Sequence, residues 1–108
     1  MALSIRCGVA FTLAAAFVLP GAALAQDATQ ARSLAATCAN CHGTDGRSVG
    51  VTPSLAGVDA NTMYQQLMEF KAGKRPGTIM PQIAKGYTDA QLKAVAGYFA
   101  AQPKTASR

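Results

Sequence analysis

The stretch Cys38-Ala39-Asn40-Cys41-His42 has the spacing C-x-x-C-H. Two thiols three positions apart on a helical turn can each form a thioether with one vinyl group of the same haem, and the next residue then places its imidazole beneath the iron. The spacing therefore predicts one covalently bound haem c, with Cys38 and Cys41 as its attachment points. His42 is the predicted proximal ligand of the haem iron.

A C-x-x-C pair also occurs in thioredoxin-like disulfides and in zinc sites. A thioredoxin-like site requires a βαβ pattern around the pair, and the surrounding sequence has none. A zinc site requires four ligands, whereas this chain has a single histidine and no third cysteine once Cys7 is removed with a signal peptide. Each alternative lacks a required partner, so haem attachment is the favoured interpretation.

Residues 1–25 have the three parts of an export signal, namely one positive charge, an apolar stretch and the sequence Ala23-Leu24-Ala25 before the predicted cleavage site. The alternative is a membrane anchor, but a proline–glycine pair interrupts the apolar run well short of the ~20 residues that a spanning helix needs. We therefore expect a cleaved signal peptide and a periplasmic domain over residues 26–108, without a membrane anchor.

The composition fits one small domain. The chain has 108 residues, ten Lys and Arg against five Asp and Glu, and no basic run longer than two residues. This charge pattern does not predict binding of nucleic acid. After signal removal the chain has no Trp and few aromatic residues, so a buried haem is expected to supply much of its apolar core. The aromatic residues of this part are Tyr64, Phe70, Tyr87, Tyr98 and Phe99.

Apolar spacing predicts an all-α domain. A first helix is expected over residues 27–40 with Asp27 as its N-cap, and a second from a cap at Asp59 or Asn61 to about Gly73. Residues 43–57 contain four glycines and show no sustained period, which predicts a loop around the haem edge.

The last helix has the clearest signals. Thr88 and Gln91 form a predicted capping box at its start. Gly97 lies in its interior, where glycine costs ~1 kcal/mol relative to alanine. We expect close packing of Gly97 against Ala35 and Ala36 of the first helix to compensate. One apolar stripe of this helix comprises Leu92, Val95, Ala96 and Phe99.

The second axial ligand of the iron is expected to be Met80. Met63 and Met68 lie within a predicted helix at spacings that suit ordinary core packing. Met80 lies in an extended stretch over residues 78–81, where a loop can present its thioether to the iron. Another methionine or an open coordination site remains an alternative. A His/Met pair raises the reduction potential and leaves no free position for a substrate, so no catalytic residue is assigned and electron transfer is favoured over catalysis.

With these residues the chain resembles a class I cytochrome c, and more closely a single haem domain of the c4 and c553 group. The resemblance implies three to four helices around one haem, Met80 as the distal ligand, and the carbonyl of Pro53 as acceptor of a hydrogen bond from the other ring nitrogen of His42. The matching stretches are residues 38–48, 53–57, 65–75, 79–81 and 92–102.

Residues 82–88, Gln-Ile-Ala-Lys-Gly-Tyr-Thr, resemble the cytochrome subunit of flavocytochrome c sulfide dehydrogenases. The resemblance implies an FAD-containing flavoprotein as the partner that oxidises sulfide and passes on electrons. A free c553-like carrier that serves a terminal oxidase or another respiratory complex is the alternative. A haem sensor or minor enzyme with a labile Met80 is a third hypothesis. An apolar surface at the haem edge favours a permanent subunit, whereas a charged ring favours a free carrier.

Basic residues in the half of the chain that contains Met80 either steer an acidic partner or form an ordinary solvated surface. Arg47 and Tyr87 are candidates for a hydrogen bond to a haem propionate, or ordinary loop residues. The basic residues are Lys71, Lys74, Arg75, Lys85 and Lys93.

Overall fold

A computed structural model describes residues 21–105 of the chain, with side chains from residue 27. The predicted signal peptide lies outside the described residues except for its last five positions. Within residues 21–105 all regular elements are helical, which confirms the all-α prediction. The α-helices are α1 (Gly21–Ala35), α2 (Ala39–His42), α3 (Ala60–Lys71), α4 (Met80–Lys85) and α5 (Asp89–Ala100), and 3₁₀ turns cover Ala36–Cys38 and Thr44–Gly46.

The first helix differs from its predicted bounds. Helix α1 continues through Asp27, so the predicted N-cap at this residue is wrong. The preceding residues are mainly alanine, leucine and glutamine, which favour continuation of a helix. At its other end α1 stops at Ala35, and the chain tightens into the 3₁₀ turn before the single turn of α2. The C-x-x-C-H motif therefore spans a junction between two helical turns.

Helices α3 and α5 begin at predicted caps. The Asp59 carboxylate accepts a hydrogen bond from the Thr62 backbone N–H at 2.8 Å. At α5 the Gln91 N–H donates to the Thr88 hydroxyl at 3.2 Å, and the Thr88 N–H donates to the Gln91 side-chain oxygen at 2.9 Å, which confirms the capping box. Caps of this kind are each worth about 1 kcal/mol. They fix the start of α5 and hence the direction of its apolar stripe.

The core lies where α1, α3 and α5 meet. Gly97 is exposed, and a Cβ atom added there would meet no atom within 4 Å, so the predicted close packing of Gly97 is wrong. The neighbouring Ala96 is fully buried and shares the core with Ala35, so α1 and α5 approach through alanines. The buried members of this cluster are Ala35, Met63, Val95, Ala96 and Phe99.

Gly46 lies in the loop after the motif and packs tightly against α5. Its φ is +78°, and a Cβ atom there would lie 2.7 Å from Phe99 Cδ1 and 2.9 Å from the Ala56 nitrogen. We expect Gly46→Ala to lower the free energy of unfolding by about 2–4 kcal/mol, because alanine is strained at this φ and its methyl group collides with the Phe99 ring. Denaturant unfolding of the haem-loaded protein measures this change.

Gly97→Ala is the matched control for Gly46→Ala. The added methyl group enters open space on an exposed helix position, and we expect an increase in stability of up to about 1 kcal/mol. Equal stability of the Gly46→Ala variant and the wild type would contradict the role given to Gly46.

Candidate haem site

Cys38, Cys41 and His42 line the same cavity. Both cysteines are free thiols, with Cys38 half-buried and Cys41 exposed. Burial raises the pKa of the Cys38 thiol, so this thiol is protonated at neutral pH. The junction between the 3₁₀ turn and α2 thus brings both thiols to one cavity wall, as attachment to a single ring system requires.

A hydrogen bond orients the imidazole of His42. Its Nδ1 lies 2.6 Å from the carbonyl oxygen of Pro53, which is the contact implied by the family resemblance. Because a carbonyl only accepts, Nδ1 carries the proton, and in the neutral imidazole Nε2 is then the nitrogen with the free lone pair. An imidazole held in this tautomer is prepared to bind a metal through Nε2.

The loop that carries Pro53 is folded back on the motif. The Gly46 carbonyl accepts hydrogen bonds from the Leu55 N–H at 2.7 Å and from the Ala56 N–H at 3.1 Å. The Ser48 N–H donates to the Ser54 hydroxyl at 3.0 Å. These bonds close the loop on both sides of Pro53. The predicted loop is present, although its first part forms the 3₁₀ turn Thr44–Gly46.

Met80 lines the same cavity as His42. The predicted extended stretch around Met80 is wrong, because Met80 is the first residue of α4 and Ile79 is its N-cap. The proline that follows is tolerated in the first helical turn, where its missing N–H has no intrahelical partner. Met63 also lines the cavity but belongs to the buried core, and Met68 is absent from the lining.

The cavity has a volume of about 580 Å³, which is within the usual range for small-molecule sites. Its chemistry fits haem c: two thiols for the vinyl groups, an imidazole and a thioether for the iron, and an apolar wall for the macrocycle. Residues 27–105 contain no cluster of three or more His, Cys, Asp or Glu side chains that suits a metal ion held by protein alone. The apolar part of the lining includes Pro53, Leu55, Leu67, Phe70, Ile79, Ile83, Val95 and Phe99.

The two propionate candidates differ in position. The Arg47 guanidinium binds Asp45 at 3.1 Å and the Pro103 carbonyl at 3.2 Å, and Arg47 does not line the cavity. Tyr87 does line it, together with Thr37. Thr37 was not predicted from the sequence as a residue of the cavity wall. The only local signal for this role is the position of Thr37 directly before Cys38.

Comparison with known proteins agrees with this geometry. The sequence model of the cytochrome c family matches residues 21–102. The chain belongs to the cytochrome c family. The cytochrome subunit of sulfide dehydrogenase from Chlorobaculum tepidum is 44% identical over 66 residues, which cover 61% of this chain and 60% of that protein. Cytochrome c-553 from Nitratidesulfovibrio vulgaris is 31% identical over 101 residues, 89% of each chain.

A solved structure of Acidithiobacillus ferrooxidans cytochrome c4 matches with 48% identity and a TM-score of 0.56, over 58% of this cytochrome and 37% of that chain. The chain thus spans less than two thirds of the sulfide dehydrogenase subunit and of the cytochrome c4. As a member of the family, the protein is an electron carrier with covalently bound haem c. In the part of the chain that the structure describes, no helix is long and apolar enough to cross a membrane.

Proposed function

We propose that the cytochrome transfers single electrons with His42 and Met80 as axial ligands of the iron and with Cys38 and Cys41 as thioether attachment points. All four side chains line one cavity, and the Pro53 carbonyl leaves Nε2 of His42 free for a metal. Bound haem c supplies a one-electron iron couple. With a thioether and an imidazole as its ligands, the iron would be stabilised in its reduced state and closed to other ligands, which suits electron transfer.

In the proposed physiological role the cytochrome is the electron-accepting subunit of a flavoprotein sulfide dehydrogenase in the periplasm, after cleavage of residues 1–25. The similarity to the Chlorobaculum tepidum subunit supports this role. The catalytic chemistry then belongs to the FAD-containing partner, and this chain holds the haem, positions its ligands and provides the docking surface.

The surface beside Met80 is the structural feature that supports the role as a permanent subunit. Ile79 is 62% exposed and Ile83 is 38% exposed, and both line the haem cavity. Two of the nearby basic residues, Lys71 and Arg75, are paired with carboxylates at 2.7 Å and 3.5 Å. Apolar side chains at the cavity mouth favour a lasting interface, whereas a diffusing carrier relies on unpaired charge.

The test begins with the cytochrome gently purified from native periplasm together with any chain that accompanies it. We expect flavin absorbance beside the haem c bands, and reduction of the haem by sulfide. Ile79→Lys is expected to slow sulfide-driven reduction by roughly tenfold, as for a central interface residue, and to leave reduction by ascorbate unchanged. Val49→Lys is the matched control, because Val49 is an exposed apolar residue like Ile79 but does not line the haem cavity.

A free carrier is the second candidate, favoured by the similarity to cytochrome c-553 over 89% of both chains. Haem c bands without flavin, no reduction by sulfide, and electron-transfer rates that fall steeply with ionic strength would assign the cytochrome to this role.

A further inference from the structure

Tyr87 joins the segments that carry the two proposed iron ligands. It lies between α4 and α5 and lines the haem cavity. Its hydroxyl is 2.7 Å from the hydroxyl of Thr37 and 3.4 Å from the Leu34 carbonyl oxygen. Thr37 directly precedes Cys38. Two hydrogen bonds join residues 30–42 to residues 59–105, and the Tyr87 hydroxyl takes part in both.

The backbone of Tyr87 is held from two further sides. Its N–H donates to the Ala84 carbonyl at 3.3 Å, which ties it to the end of α4. The ammonium group of Lys71, the last residue of α3, donates to the Tyr87 carbonyl at 2.7 Å and to the Asp89 carboxylate at 2.7 Å. Tyr87 therefore connects the haem motif with α3, α4 and α5 at one point.

Helix α4 connects this point to Met80. This six-residue helix, Met80–Lys85, begins at the residue with the thioether and ends directly before the turn that holds Tyr87, and Ala84 in this helix is completely buried. A short helix fixed at its C-terminal end has little freedom to move its first residue. The bond between Tyr87 and Thr37 thus links the turn after α4 to the residue before Cys38.

We infer that Tyr87 is a positioning residue for Met80: its hydroxyl, bound to Thr37, holds α4 so that the thioether stays on the iron. This inference rests on the proposed His42 and Met80 ligation. Loss of the Tyr87 hydroxyl leaves the aromatic ring in the cavity wall and removes only the hydrogen bonds of this hydroxyl to Thr37 and Leu34. The oxidised protein should then exchange Met80 more easily for an added ligand.

Titration of oxidised, haem-loaded protein with imidazole, followed by visible absorption, tests the inference. Tyr87→Phe is expected to bind imidazole between about two- and tenfold more tightly than the wild type, the equilibrium equivalent of one lost hydrogen bond. Thr37→Val should show the same increase, and combination of the two substitutions should add little. Thr37→Ser keeps the hydroxyl and should bind imidazole as the wild type does.

Tyr98→Phe is the matched control. The Tyr98 hydroxyl donates to the Asp45 carboxylate at 2.6 Å, and Tyr98 does not line the cavity. This variant loses a comparable hydrogen bond and should bind imidazole as the wild type does. An equal increase for Tyr98→Phe and Tyr87→Phe would overturn the inference, because general loosening would then explain both.

The Met80→Ala variant shows whether a negative result for Tyr87→Phe contradicts the role of Tyr87 or the proposed ligation by Met80. If Met80→Ala binds imidazole far more tightly than the wild type while Tyr87→Phe equals the wild type, Met80 is a ligand and the positioning role of Tyr87 is wrong. If Met80→Ala itself equals the wild type, the proposed ligation fails and the inference fails with it.

Discussion

Replacement of both Cys38 and Cys41 by alanine is expected to abolish covalent haem attachment and to leave a chain without a cooperative unfolding transition. The cavity of about 580 Å³ is walled by core residues, including Val95 and Phe99. Bound haem covers this apolar wall, and apolar surface removed from water is worth about 25 cal/mol per Å², so the few hundred Å² that a ring system of this size covers contribute on the order of 5–10 kcal/mol. The whole stability of a typical domain is of similar size. Haem staining after denaturing electrophoresis and thermal circular dichroism measure the two effects.

The single variants Cys38→Ala and Cys41→Ala serve as controls. Each retains one thiol at the cavity wall, and we expect each to retain haem and a cooperative transition at a lower melting temperature. A haem-free double variant that still unfolds in one sharp transition would contradict the dependence of the fold on its cofactor.

Features encoded by neighbouring residues were predictable from the sequence. The Thr88 and Gln91 capping box and the Asp59 cap each involve residues within three positions, and both are present in the structure. The C-x-x-C-H spacing is equally local, and the three side chains that it predicts as haem-binding residues line one cavity. In these cases the distances are set by the helical repeat, so the order of residues is sufficient.

Features that depend on helix rotation or on distant residues were not predictable. One residue turns a helix by about 100°, which is the difference between the exposed Gly97 and the buried Ala96. The apolar pattern alone does not decide between these two small residues at the edge of the stripe. The contact between Thr37 and Tyr87 joins residues 50 positions apart, so it has no local pattern. It arises only when the 3₁₀ turn after α1 and the α4–α5 junction have packed beside the cavity.

Met80→Ala is expected to lower the reduction potential by on the order of 0.1 V and to open the iron to small ligands. Axial ligands set haem potentials over a range of about 0.8 V, and loss of a thioether removes the ligand that favours reduced iron. For a one-electron couple a tenfold change in the ratio of the two oxidation states corresponds to about 59 mV. Spectroelectrochemical titration measures the potential, and carbon monoxide binding to the reduced protein reports the open position.

The other two methionines of the described residues provide controls for Met80→Ala. Met68 does not line the cavity, and Met68→Ala should keep the potential and exclude carbon monoxide. Met63 lines the cavity and is 4% exposed, so Met63→Ala should lower stability by about 2–5 kcal/mol while leaving the ligand set intact. An unchanged potential in Met80→Ala together with a large shift in Met63→Ala would transfer the role of ligand to Met63. The start of α4 would then serve the docking surface around Ile79 and Ile83 alone.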